Sequence, residues 1–310
     1  MSFLRVFLII SFFFALHFFA SAQFSDKRAR FHSIGVNIMG SYFNGDVASG
    51  PSTIRPGFGA QYMYKFVPGF SFAAGVNYVE IAGDDDANSS PSNPATANIY
   101  IRNLSFRNNM VEVFTQVRWD LFPSNDHYRK RPTYNIFAGI GLGLLYTNPQ
   151  AKDSSGHWTD LRPLKTEGEK VAYSQYTGFI PVSIGVRYKI SSNIDMEFEV
   201  TYRYSFSDYL DDVKGNYADP QNLSPKAAYF ANRSAEPINT FDNHSRDLNY
   251  IQNQLGYSIQ TNNLGGQYVA GTGPGQSRGS KIGPDGYILA MLRFVYIIPE
   301  KGVSCPRYRD

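Results

Sequence analysis

The chain has 310 residues, and 29 Lys and Arg against 26 Asp and Glu leave a net charge of +3, too small to mark a nucleic-acid partner. Aromatic residues make up 15%, with 22 Tyr and 24 Phe, while the mean hydropathy is -0.31, a combination that excludes a helical membrane protein and suits a barrel with aromatic girdles. The single cysteine, Cys305, excludes an internal disulfide.

Residues 1–22 read as a signal peptide. Met1 to Arg5 carries one positive charge, Val6 to Ala20 is almost wholly apolar, and Ala20, Ser21 and Ala22 supply the small residues a signal peptidase requires, so cleavage is expected before Gln23. The competing reading is a membrane anchor, but the segment is shorter than the ~20 residues a spanning helix needs. No later stretch is apolar for that length. A membrane protein of this sequence spans by strands.

Eight strands are predicted, over residues 33–43, 57–66, 69–81, 108–119, 133–146, 177–190, 193–206 and 286–297. Each alternates with period two, as a strand with one lipid face and one interior face must. In the fifth, Tyr134, Ile136, Ala138, Ile140, Leu142 and Leu144 alternate with Asn135, Phe137, Gly139, Gly141 and Gly143. In the seventh, Ile194, Met196, Phe198, Val200, Tyr202 and Tyr204 alternate with Asp195, Glu197, Glu199, Thr201 and Arg203. The connections run long, short, long, short, long, short, long, which is the sorting of a membrane barrel and has no reason to arise in a soluble sandwich. The expected fold is all-β: an eight-stranded antiparallel transmembrane β-barrel with long extracellular loops and short periplasmic turns. The barrel is expected over residues 33–298, in the cell outer membrane among its lipid and lipopolysaccharide. Residues 23–32 and 299–310 then form two periplasmic tails.

Charges fall on the interior phase: Lys65, Glu112, Arg118, Arg187, Lys189, Asp195, Glu197, Glu199, Arg203 and Arg293. Eight strands leave an interior just wide enough for side chains, so opposite charges there must pair. A network of Glu112, Arg118, Arg187, Glu197, Glu199 and Arg203 is therefore expected to close the lumen; the alternative is a charge-lined pore. The histidines outside the signal peptide, His32, His127, His157 and His244, fall in tails or loops without the spacing of a nucleophile site or a metal site. No enzyme activity, metal or other cofactor is expected. Asp84, Asp85 and Asp86, and Asp211 with Asp212, lack the alternate-residue spacing of a calcium loop and read as solvated loop charge.

Three stretches carry a resemblance: Tyr134 to Gly143, Leu161 to Glu169, and Ile180 to Tyr188. The most distinctive segment runs from Phe198 to Tyr217, a strand entering an acidic loop. Over roughly Phe31 to Ser234 the chain resembles the PorG-type outer-membrane β-barrels of the type IX secretion system. The resemblance implies a protein that secures a periplasmic ring, built from a lipoprotein and associated secretion components, to the outer membrane. Its working surface would be the two tails and the connection carrying Arg129, Lys130 and Arg131. On this topology Cys305 is periplasmic, where disulfides persist, and a bond to the ring lipoprotein is the pairing the resemblance implies. A different class of role, surface binding or adhesion through the long outer loops, is favoured by the length of the connection over residues 207–285.

Overall fold

The computed structural model describes residues 29–262, 264–279 and 283–299. The expected signal peptide and Cys305 lie outside the described residues.

Alternation produces eight long strands: β1 (Phe31–Asn44), β2 (Arg55–Val67), β3 (Phe70–Asp84), β4 (Ser105–Asp120), β5 (Tyr134–Tyr146), β6 (Tyr176–Lys189), β7 (Ile194–Ser205) and β8 (Gly286–Ile298). Each pairs antiparallel with its neighbours in chain order, and β8 pairs back onto β1 with Asn37 opposite Arg293, so the sheet closes. Closure removes the unpaired edge that an open sheet cannot carry into lipid. The outward residues are apolar and bare: Val36 is 63% exposed, Ile38 65% and Leu144 68%. A band of this kind around a whole barrel is costly in water at ~25 cal/mol per Å² and favourable in hydrocarbon. The barrel therefore spans a membrane.

The expected strands match the observed ones to within three residues at each end. One rim carries short connections: Pro68 with Gly69, residues 190–193, and residues 121–133, which hold a 3-10 turn over Tyr128–Lys130. Gly69 sits at φ +82°, the left-handed region that a Cβ disfavours. The other rim carries four long loops. His32 departs from expectation: it lies on β1, on the outer face, stacked on Tyr64.

The interior has two layers. Toward the short-turn rim it is filled by charged side chains. Toward the long-loop rim it is apolar, with Phe43, Phe106, Met110, Phe114 and Phe179 from the wall meeting Val47, Leu104, Leu210 and Val213 from the loops. The loops thus turn back into the mouth and plug it.

Above the mouth the loops are folded. They contain α1 (Ala97–Arg102), α2 (Pro225–Ala231), α3 (Leu248–Asn253), and two small hairpins, Pro149–Lys152 with Trp158–Asp160 and Ile259–Thr261 with Gln267–Val269. Ser224 caps α2 by accepting from Ala227 N at 3.2 Å, with Pro225 at the first helical position, and Asp247 caps α3 by accepting from Tyr250 N at 2.9 Å. Tyr100 and Ile101 of α1 bury against Ile251 of α3 and Val269. Apolar contact between loops that are distant in sequence turns four insertions into one cap.

Candidate functional site

The lumen holds one connected ionic group near the short-turn rim. Glu197, on β7, is its centre: Oε1 accepts from Arg187 Nε at 2.8 Å, and Oε2 accepts from Arg118 Nη2 and Arg293 Nη1, each at 3.0 Å. Arg293 also donates to Glu199 at 2.7 Å, and Arg187 reaches Asp120 at 3.2 Å, whose Oδ2 also takes Lys65 Nζ at 3.0 Å. Nearer the long-loop rim a separate pair joins Arg203 Nε to Glu112 Oε1 at 3.3 Å, and Glu112 further accepts from Tyr287 Oη and from Asn77 Nδ2 at 2.8 Å. The guanidiniums stack on aromatic faces. Arg118 lies 3.7 Å over Phe137, and Arg203 lies between Phe114 at 5.1 Å and Phe179 at 5.4 Å.

Inward glycines make room for these rings. A Cβ on Gly185 would come within 2.4 Å of Phe137 and 2.6 Å of the Phe198 carbonyl. The structure brings together Arg118, Arg187, Glu197 and Glu199, and places Glu112 with Arg203 as a second pair. Sequence reasoning left out Lys65, Asp120, Asp195 and Arg293 from the network. Asp120 was readable, since it follows the outward Trp119 and the expected strand stopped one residue short of it.

At the short-turn rim the basic run splits. Arg129 and Lys130 are exposed, whereas Arg131 is buried. Its Nη2 donates to Asp195 at 2.5 Å, and Nη1 donates to the carbonyls of Tyr128 at 2.7 Å and Ser192 at 2.6 Å. Arg131 therefore ties two turns together and is not a free rim cation, because the inward Asp195 at the start of β7 needs a counter-charge. Lys189, expected inside, is half-exposed at the rim and donates to the Arg129 carbonyl at 2.5 Å.

In the cap the acidic runs are buried, which overturns their reading as solvated charge. Asp85 accepts from Ala48 N and Leu104 N, each at 2.9 Å, and pairs with Arg102 at 2.8 Å. Arg102 also donates to the carbonyls of Asp46 and Arg278, so one side chain ties three loops. Asp211 accepts from Val47 N and Val213 N at 2.9 Å. Asp212 accepts from Thr166 Oγ1 at 2.5 Å and Tyr173 Oη at 2.7 Å, and Glu167 takes Lys214 N at 2.9 Å and Arg278 at 3.1 Å. The segments 161–169 and 209–215, both prominent in the resemblance, thus meet as partners of one another.

Burial sets the protonation of these groups. It pushes Asp212 up to about 6 although Arg278, Thr166 and Tyr173 favour its charged form, and it pushes Asp208 up to about 6 with the Asp46 charge adding to the effect. Asp211 and Asp285 are both raised, each by burial first and then by the neighbouring acid. Arg102 is raised, because Asp85 outweighs the desolvation that would lower it. Among the described residues no group of three or more His, Cys, Asp or Glu could hold a metal ion. His244, exposed, contacts Asp86 at 2.7 Å, and no described histidine lies beside a nucleophile in a hydrogen-bonded pair with a carboxylate behind it.

The family described as "Domain of unknown function (DUF6089)" matches residues 10–244, more than half of the chain's 310 residues. No curated protein matches it. Among solved structures it is similar to Ail, the attachment invasion locus protein of Yersinia pestis, in complex with a heparin analogue, at 8% identity and TM-score 0.38, covering 87% of this chain and 99% of Ail. It is also similar to Neisserial surface protein A, at 9% identity and TM-score 0.38, covering 86% and 96%. The N-terminal barrel domain of Pseudomonas aeruginosa OprF gives 8% identity and TM-score 0.34, covering 86% and 97%. The barrel itself is established by the strand pairing above.

Proposed function

Because the chain belongs to the DUF6089 family, whose description names no activity, we propose its role from its geometry and its resemblance to PorG-type barrels. It is a non-enzymatic outer-membrane component of type IX protein secretion, holding a periplasmic ring lipoprotein and its associated components to the membrane. The observation that carries this reading is the filled lumen: with Glu197 gripped by three arginines and the mouth plugged by Leu210 and Val213, the barrel offers no conduit and acts through its surfaces. In this reading the short-turn rim and both termini are periplasmic. The rim presents exposed Arg129 and Lys130 beside exposed Leu121 and Phe122, a basic and apolar surface suited to protein contact. Cys305, with basic neighbours that favour thiol exchange, is the residue through which the ring lipoprotein is bonded.

The test is charge reversal of Arg129 and Lys130 to Glu. Co-purification of the ring lipoprotein and secretion should both fall while the barrel stays folded. Unchanged secretion and co-purification would reject the rim as the docking surface. For the thiol, Cys305→Ser should abolish a reducible adduct on non-reducing gels.

A second reading, surface binding through the outer loops, is favoured by their folding into a cap. Residues 218–275 leave and return at adjacent points, since Tyr217 N donates to the Gln276 carbonyl at 2.9 Å. Replacing them with a short linker should preserve secretion if the rim is the working surface, and should abolish surface binding if the cap is.

A further inference from the structure

The outward face of the wall carries two features that meet near the long-loop rim. The first is a hollow of about 630 Å³ on the lipid side. Gly40 and Ala290 floor it, Phe58 and Tyr78 wall it on one side, and Phe198 and Leu292 wall it on the other. Glu80 lines its end toward the long loops and pairs with Arg55 at 3.3 Å.

The second feature is a group of cations and aromatic rings beyond that end. The hairpin of Pro149–Lys152 with Trp158–Asp160 extends the wall by pairing with β4, Gln150 standing opposite Arg107. Ala151 is buried against Leu161 and Phe230, so alternation turns Gln150, Lys152 and Trp158 to the outer face with Arg107. The Trp158 ring holds the Arg107 guanidinium at 3.8 Å and Lys152 Nζ at 5.3 Å, and meets the Phe241 ring edge-on at 6.0 Å. Arg55 lies 5.4 Å over Phe241, which joins this group to the hollow. Arg107 Nε donates to Gln150 Oε1 at 3.1 Å, and Lys152 Nζ donates to the Phe241 carbonyl at 2.8 Å. Both partners are neutral, and the nearby carboxylate of Asp160 accepts from Asn148 and Gln150 instead. Two positive charges are thus presented outward without a counter-charge among these partners.

Strand register sets the height of this group. Phe58, Tyr78, Val111, Tyr146 and Tyr176 stand opposite one another in successive pairs on the outward phase. That row, aromatic at all but Val111, marks the edge of the hydrocarbon. Arg107 lies four residues beyond Val111 on β4, about 10 Å above the row for a strand rising ~3.4 Å per residue at a tilt of ~40°. A phospholipid headgroup layer is only ~5–8 Å deep per leaflet, so cations at this height match a lipid whose charge sits on a taller headgroup. The hollow below matches an acyl chain.

We propose that this face binds a phosphorylated glycolipid of the outer leaflet, with one acyl chain in the hollow and a phosphate of its sugars on Arg107 and Lys152. The inference rests on the reading that the long-loop rim is extracellular. Its test is made in micelles, where binding does not depend on which way the barrel faces, so its failure leaves the orientation and the secretion role standing. Protease cleavage of the long loops on intact cells tests the orientation separately.

The chain has two tryptophans, and Trp119 lies near the opposite rim, so Trp119→Phe makes emission report Trp158 alone. The full barrel carrying that change is titrated with rough lipopolysaccharide bearing a phosphorylated core. Parallel arms use the same lipid stripped of phosphate, phosphatidylglycerol, and inorganic phosphate. The phosphorylated glycolipid should shift Trp158 emission saturably. Arg107→Gln and Lys152→Gln should each weaken binding by about fivefold, whereas Arg107→Lys and Lys152→Arg, which keep the charge, should stay within about threefold of the parent. Ala290→Phe, which fills the hollow from its exposed face, should weaken binding by about threefold to tenfold. The proposal is overturned if the phosphorylated glycolipid does not saturate, or if the stripped lipid, phosphatidylglycerol or inorganic phosphate binds as tightly. It is equally overturned if the Gln variants or Ala290→Phe bind like the parent, or if the charge-keeping variants lose as much as the Gln variants.

Discussion

At the residue scale the account turns on Glu197 and Arg187. Arg187 holds Glu197 and Asp120 in a space that water does not reach, so Arg187→Ala leaves two buried carboxylates short of a counter-charge. The expected loss is about 3–5 kcal/mol, read from urea unfolding of the barrel in lipid. A loss below about 1 kcal/mol would mean that water solvates the lumen, and the sealed interior would have to be given up. Alternation made the inward phase of these residues readable, but not their height in the barrel. That is why Arg293, which serves both Glu197 and Glu199, was visible as an inward charge and invisible as a hub. Arg131 was misread for a similar reason: a basic run in a turn gives no hint that its last member folds inward to meet Asp195. Phe137 was placed on the inward phase, yet its stacking on Arg118 depends on cross-strand register.

At the element scale the strands were legible because period two is a strong pattern over 12 to 16 residues. The cap was not. Its helices run six or seven residues, too short for a helical period to show, and their stability comes from contacts between loops far apart in sequence. Two strand glycines provide a test of packing, Gly185 on the inward phase and Gly40 on the outward one. Gly185→Val should destabilise the barrel by about 1–3 kcal/mol, because the new carbon meets Phe137 and a backbone carbonyl. Gly40→Ala, whose new carbon would meet only Ile54 at an ordinary 3.5 Å, should stay within about 0.5 kcal/mol. Equal effects from the two would contradict the packing described.

The cap's acids give a pH prediction. Asp208 and Asp212 hold their protons up to about 6 when folded, above the ~3.9 of a free carboxyl. The folded cap therefore binds more protons than the open one across that interval, and its stability must fall as pH rises from about 4 to 6. Asp211 and Asp285, both raised, act with the same sign. Amide protection of residues 161–169 and 208–217, corrected for intrinsic exchange, should be higher at pH 4.5 than at pH 8. Higher protection at pH 8 would mean that Arg278 and the hydroxyl donors outweigh burial.

At the scale of the whole molecule, the short and long connections announced a barrel, and the barrel's closure follows from the pairing of β1 with β8. What the sequence did not announce is that the interior is sealed twice, by ions near the short-turn rim and by an apolar plug near the mouth. The two seals have different chemistry, so one defect does not open the other. The proposed secretion role rests on that sealing, because an open pore would make the lumen itself the working surface. Single-channel recording of the purified barrel in planar lipid bilayers tests this most directly. The account predicts no steady conductance above the bare bilayer in molar salt; a stable, repeatable step conductance from the wild-type protein would contradict it.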